Sequence, residues 1–234
     1  MSEPLLEPCL YDYWRSSACY RVRIVLNLKG IAAKRIPVNL RAGEQMSEAH
    51  RARNPAGLVP LWHEADGFTL AQSLAIIAYL DELHPDPPLL PPEPRLRAAC
   101  REIALTIACD IHPLGNLRVQ EKLKADYGAG EDDCLNWLRH WIRKGFDALE
   151  ARLAGTAGRY AVGGMVSLAD VCLVPQVYNA RRFGLDLAPY PKISAADAAA
   201  RSLPAFAAAA PEAQPDAPFE ARSGLIPDPA KRLP

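Results

Sequence analysis

Apolar and polar positions alternate in two different ways along this chain. Up to about residue 84, short strand-like runs are interleaved with helical ones. Residues 9–13 form a short apolar run that reads as a strand. Residues 19–29 then place Val22, Val25, Leu26 and Leu28 at helical spacing, with Gly30 as the closing cap. Residues 35–40 read as a second strand, 58–63 and 67–70 as a hairpin pair, and 73–83 as a helix through Leu74, Ile76, Ile77 and Leu80. The order βαβ…ββα predicts a small sheet with helices packed on it.

A proline cluster over residues 84–94 ends that pattern, because proline fixes φ and lacks an N–H and so fits neither helix nor central strand. Beyond it the spacing is helical throughout, with helices predicted over 95–120, 132–153, 167–183 and 193–210. The alanine-rich run 195–210 is most simply part of the last helix. Pro113, directly after His112, should kink or break the first of these helices. Ser167-Leu-Ala-Asp170 is a capping box. The expected architecture is an α/β domain over 1–88, a proline-rich linker over 89–94, an all-α domain over 95–220 and a proline-rich tail over 221–234. The last proline-rich stretch, from Pro211 on, reads as a terminal arm or a loosely held tail.

Composition narrows the function classes. The chain has 234 residues, half of them hydrophobic, with 27 basic and 27 acidic side chains. A formal net charge of zero argues against a nucleic-acid binder that relies on a broad basic field. No apolar run approaches the roughly 20 residues needed to cross a bilayer, and acids stand near the N-terminus where a signal peptide would be basic. We therefore expect a cytoplasmic protein with no membrane partner. Six scattered cysteines lack any CxxC or zinc-ligand spacing, which points to reduced core thiols and no metal site.

Three segments hold residues that could do chemistry. Ser16 and Ser17 stand at the start of the first helix, where unpaired N–H groups and the helix dipole stabilise an anion, including a thiolate; either serine is equally read as a simple cap. Cys19 reads as a low-pKa nucleophile or as a buried first-turn cysteine. Val59-Pro60, entering a strand, is a candidate cis peptide that would leave Val59 N–H and C=O turned toward an extended ligand. Gln72-Ser73 opens another helix, again as anion site or as cap.

Four motifs stand in the order and spacing of one family: Arg-Ser-Ser-x-x-x-Arg-Val-Arg at 15–23, Asn-Pro-x-x-x-Val-Pro at 54–60, Gln-Ser-Leu-Ala-Ile at 72–76 and Leu-Ala-Asp-Val-Cys-Leu-Val-Pro-Gln-Val at 168–177. Together, over residues 8–218, the chain resembles the zeta class of glutathione transferases, whose members include maleylacetoacetate isomerases. The resemblance implies a thioredoxin-like N-terminal domain that holds glutathione, an all-helical domain that holds the second substrate, and a homodimer.

It also implies roles. Ser16, with Ser17 ranked second, would hydrogen-bond the glutathione sulfur; Gln45 would meet the glycyl end, Val59 the cysteinyl backbone, and Gln72 with Ser73 the γ-glutamyl carboxylate. His112 and Asn116 are further family-matched contacts. His112 is either a proton carrier or a helix-end hydrogen-bonding group. Arg15, Arg118 and Arg182 would meet a small dicarboxylate, Arg15 and Arg182 with a share in catalysis. Arg21 would add positive potential or form an exposed salt bridge. The implied activity is cis–trans isomerisation of maleylacetoacetate to fumarylacetoacetate in aromatic amino-acid breakdown, by thiolate addition, bond rotation and elimination. Alternatives are maleylpyruvate as substrate, transfer to small α-halo acids, or a non-catalytic glutathione-binding module. The chain departs from the family's Ser-Ser-Cys pattern, with Ala18 at the usual cysteine position and Cys19 one place later. One residue turns a helical side chain by about 100°, so Cys19 is not assumed to substitute.

Overall fold

A computed structural model describes residues 7–222. The chain divides into two compact units: residues 7–87 together with 204–222, and residues 88–203.

The first unit carries a four-stranded sheet in the order β2-β1-β3-β4: β1 (Cys9–Asp12), β2 (Lys34–Pro37), β3 (Leu61–His63) and β4 (Thr69–Ala71). β1 runs parallel to β2 and antiparallel to β3, and β3 and β4 form the expected hairpin. β2 ends sooner than the sequence suggests. Pro37 lacks an N–H and is tolerated here because β2 is an edge strand.

Helix α1 (Ser17–Lys29) ends where Gly30 takes φ 64°, a left-handed cap that costs glycine little. Val22, Ile24 and Val25 are wholly buried, and so are Arg21 and Arg23 at 1% exposure each. A helix buried all round must give its charges partners. Arg21 donates to Ser73 Oγ at 3.3 Å, and Arg23 donates to Asp12 at 2.9 Å and to the carbonyls of Trp14 and Ala209 at 2.8 and 2.9 Å. Arg21 is therefore an internal link to α3 (Ser73–Leu83), not an exposed salt bridge. The short helix α2 (Glu48–Arg51) lies between β2 and β3.

The second unit is helical: α4 (Pro94–Leu105), α5 (Leu117–Tyr127), α6 (Glu131–Leu153), α7 (Leu168–Arg182) and α8 (Pro191–Arg201). The helix expected over 95–120, with a kink or break at Pro113, is two helices separated by a π-type turn over Thr106–Ile111 and a 3₁₀ turn over His112–Gly115. Pro113 lies inside that break. α6 buries Cys134, Leu138, Ile142, Phe146, Leu149 and Leu153, a stripe of helical period. Each such large apolar side chain contributes about 1.5–3 kcal/mol on leaving water. α7 is buried on nearly every side between α4 and α8. Its capping box forms as expected: Asp170 accepts from Ser167 N–H at 2.9 Å, and its other oxygen accepts from Ala161 N–H at 2.8 Å.

The expected helix over 193–210 also breaks, at Ser202 and Leu203, and a new helix α9 starts (Pro204–Ala209). Proline suits a first helical turn and disfavours helix in the residue before it. From that point the chain departs from the expected 95–220 helical domain and packs on the first unit, with α9 lying against α1. Pro211, Gln214 and Ala217 are buried, so this stretch of the proline-rich arm is not loosely held. A final turn, α10, spans Phe219–Arg222. Residues 223–234 of the expected tail lie outside the described residues.

Five of the six free cysteines are buried; Cys109 is exposed. Among the described residues no helix is long and apolar enough to cross a membrane.

Candidate active site

The sheet register collects three chain segments at one end. Tyr11, near the end of β1, pairs with Leu61 at the start of β3, and Leu61 pairs with Ala71 at the end of β4. The loop after β1 (holding Arg15 and Ser16), the Val59-Pro60 bond before β3 and Gln72 after β4 therefore share that edge.

At the first of these, Ser16 is the N-cap of α1 and its Oγ accepts from Cys19 N–H at 3.3 Å. The capping role uses a lone pair and leaves the hydroxyl proton to donate. No acid stands in the first turn of α1 to offset its positive end. Ser17, the first helical residue, is 6% exposed. Cys19 is wholly buried and burial pushes its thiol up, so of its two readings the structure favours the inert core cysteine. The Arg15 guanidinium lies 5.2 Å from the Trp14 ring centroid.

At the second, Val59-Pro60 is cis. The carbonyl just before it, Leu58 O, is held by His50 Nε2 at 2.9 Å and Asn54 Nδ2 at 2.8 Å. Val59 itself lies outside the strand ladder, which begins at Leu61, and no hydrogen bond of its N–H or C=O is formed among the described residues. Gly57, at φ 61°, packs so close to the preceding turn that an added Cβ would lie 2.8 Å from Met46 Sδ and 3.3 Å from Gln45 O. That approach sets Gln45 beside the 54–58 loop. Gln45 Oε1 is buried without a hydrogen-bond partner.

At the third, α3 begins without a side-chain cap. Gln72 holds φ 72°, a left-handed value rare outside glycine, and its C=O accepts the first helical bond from Ile76 N–H. The N–H groups of Ser73, Leu74 and Ala75 thus have no partner inside the helix. Arg21, bonded to Ser73 Oγ, places a buried cation behind them. Positive potential was one of the two sequence readings of Arg21, but its bond to Ser73 was not read from the sequence. The signal was available: Arg21 and Arg23 interrupt an otherwise apolar stretch from Tyr20 to Leu26, which leaves α1 no polar face to put them on.

In the second unit three candidates, His112, Asn116 and Arg118, lie at or just after the helix break, and Arg182 lies on α7. His112 opens the 3₁₀ turn and is half-buried, and the Trp137 indole on α6 donates to Leu114 O at 2.7 Å, fixing that turn. Asn116 caps α5, its Oδ1 accepting from Leu117 N–H at 2.9 Å. Arg118 is exposed in the first turn of α5, past the break rather than on the first helix. Arg182 ends α7, half-buried; it bonds Asn179 Oδ1 at 3.4 Å and stacks on the Phe183 ring at 4.1 Å.

Comparison with known proteins identifies the family. The family model for the glutathione S-transferase N-terminal domain matches residues 15–83, and that for the C-terminal domain matches 142–208. A probable maleylacetoacetate isomerase of Vibrio cholerae is 50% identical over 210 residues, covering 89% of this chain and 97% of the relative. A maleylpyruvate isomerase of Ralstonia is 47% identical over 209 residues, covering 88% and 98%. The crystal structure of a maleylacetoacetate isomerase from Anaeromyxobacter dehalogenans, with dicarboxyethyl glutathione and citrate bound in its active site, superposes with a TM-score of 0.81 at 45% identity, covering 91% of this chain and 98% of that one. The chain belongs to the glutathione S-transferase family, and within it to the zeta class of maleylacetoacetate and maleylpyruvate isomerases.

Proposed function

We propose that this protein is a glutathione-dependent cis–trans isomerase that converts maleylacetoacetate to fumarylacetoacetate. The observation that carries the reading is the sheet edge on which the uncapped start of α3, the Val59 peptide without partners and the Ser16 hydroxyl meet. These groups suit the successive parts of glutathione: an anionic end, an extended peptide and a thiol. In the proposed arrangement Gln72, Ser73 and the α3 N–H groups hold the γ-glutamyl carboxylate, with Arg21 lending charge from behind. Val59 pairs with the cysteinyl backbone and Gln45 offers its side-chain amide to the glycyl end. Ser16 donates its hydroxyl proton to the sulfur, which favours the ionised form.

Bound there, glutathione supplies a thiolate whose reversible addition to the conjugated double bond permits rotation. The protein's remaining task is electrostatic. In this proposal Arg15, Arg118 and Arg182 take the substrate's carboxylates and the charge that develops beside them, His112 moves a proton and Asn116 adds a polar contact. Ser17, buried in the helix, is left a supporting part. We further propose that the enzyme works as a cytoplasmic homodimer.

Dicarboxyethyl glutathione in the active site of the Anaeromyxobacter enzyme, a thioether of the tripeptide carrying a dicarboxylate, supports this chemistry. The similarity to the Ralstonia maleylpyruvate isomerase keeps the second maleyl substrate in play. Measuring kcat/KM for both substrates side by side tests the assignment. Maleylacetoacetate is expected to be the better substrate, and a large preference for maleylpyruvate would reassign the acceptor. Arg182→Ala is expected to raise KM for the dianionic substrate by about tenfold with a smaller change in kcat, as loss of a charge-assisted contact requires. An unchanged KM would return Arg182 to a surface charge.

A further inference from the structure

The loop that carries Ser16 is not held by its own sequence neighbours alone. The Trp14 backbone is held at both its N–H and its C=O. Its N–H donates to Asp216 Oδ2 at 3.1 Å, and the C=O accepts from Arg23 Nη2 at 2.8 Å. Arg23 also reaches Tyr13 O at 3.4 Å, the same carbonyl that accepts from Ser16 N–H at 2.9 Å. Asp216 sits in a turn anchored by the buried Gln214, whose amide donates to Ala208 O and Ala210 O at 3.0 and 2.7 Å and whose Oε1 accepts from Arg35 at 3.0 Å. Tyr20 OH and Arg23 Nε bond the carbonyls of Phe206 and Ala209 and so bind the same segment to α1.

We propose that Asp216 is a positioning residue: by fixing the Trp14 peptide it sets where the Ser16 hydroxyl points, so that the segment 204–217 helps build the thiol site from some 200 residues away. The inference rests on the reading of Ser16 as the sulfur's donor. Only Arg15 separates Trp14 from Ser16, so a shift of that backbone carries the hydroxyl with it. A misplacement of about 1 Å at a reacting group is enough to cost orders of magnitude in rate. Trp14 N–H needs an acceptor and not a charge, so an amide oxygen should serve.

The test compares Asp216→Ala, Asp216→Asn and Ser16→Ala as full-length purified proteins, reading kcat/KM, the ultraviolet titration of bound glutathione thiol and thermal stability. D216A is expected to lower kcat/KM about tenfold and to move the bound thiol's titration up by about one pH unit. D216N should restore both to within about twofold, since it keeps the acceptor. If S16A shifts the titration and D216A does not, the clasp is refuted while the Ser16 reading stands. If D216A loses stability and activity together with the titration in place, Asp216 is structural and the proposal falls. If neither variant moves the titration, the Ser16 reading itself fails and takes the proposal with it.

Discussion

Ser16→Ala is expected to cut isomerisation at neutral pH by at least about tenfold, with a milder loss of glutathione binding. The magnitude follows from the role proposed for the hydroxyl. A hydrogen bond to a charged acceptor is worth roughly 1.5–3 kcal/mol, and 1.4 kcal/mol is already a factor of ten. Under the proposed arrangement binding should suffer less, because Val59, Gln72 and Ser73 are untouched. The substitution also removes the N-cap bond to Cys19 N–H, at a cost near 1 kcal/mol of stability. Rates should therefore be compared well below the unfolding temperature, with kcat and KM separated and the pH profile recorded. The profile's acid limb should move upward, since an unassisted thiol ionises later. Unchanged turnover would remove Ser16 from the site.

The largest effect on stability is expected at Asp170. Its carboxylate is fully buried and accepts from Ala161 N–H, Ser167 N–H and Ser167 Oγ at 2.8, 2.9 and 3.0 Å. Burial pushes the acid up, against the pull of these donors. Truncation to alanine strands donors that no water can reach, at about 1–3 kcal/mol each. It also opens the capping box that starts α7. A total loss of about 3–5 kcal/mol is expected for Asp170→Ala, enough to lower soluble yield before turnover per folded molecule changes. Asp170→Asn should recover little, because one acceptor becomes an N–H₂ facing donors. Urea unfolding at matched pH reads the difference, and a wild-type midpoint for D170A would contradict the structural role.

What could be read from the sequence was what neighbours in the chain determine. The helix Ser73–Leu83 is legible to the residue, because its apolar spacing runs into a proline cluster. Gly30 as a left-handed cap, the hairpin and the Ser167–Asp170 box depend likewise on residues a few places apart. The break at Pro113 was legible because proline forbids the helix. The break at Pro204 was not: the alanines on both sides keep a helical pattern that hides a restart. Nor could spacing say that the segment beyond it returns to α1. That return rests on polar bonds between residues some 180 to 200 positions apart, such as Arg23 to Ala209 O and Trp14 N–H to Asp216. The same limit applies to the candidate site. Ser16, Val59, Gln72 and Ser73 were found by motif, whereas Arg21 behind Ser73 emerged only with the packing of α1 on α3.

The most direct test of the central claim is a rate measured before and after removal of the cofactor. Protein exhaustively freed of glutathione should leave maleylacetoacetate in its cis form, and conversion to the trans acid should return on adding reduced glutathione in proportion to sites filled. S-methylglutathione, which keeps every recognition group but has no ionisable sulfur, should occupy the site and restore nothing. Conversion at the full rate by the stripped protein, or with the S-methyl tripeptide in place, would contradict the account.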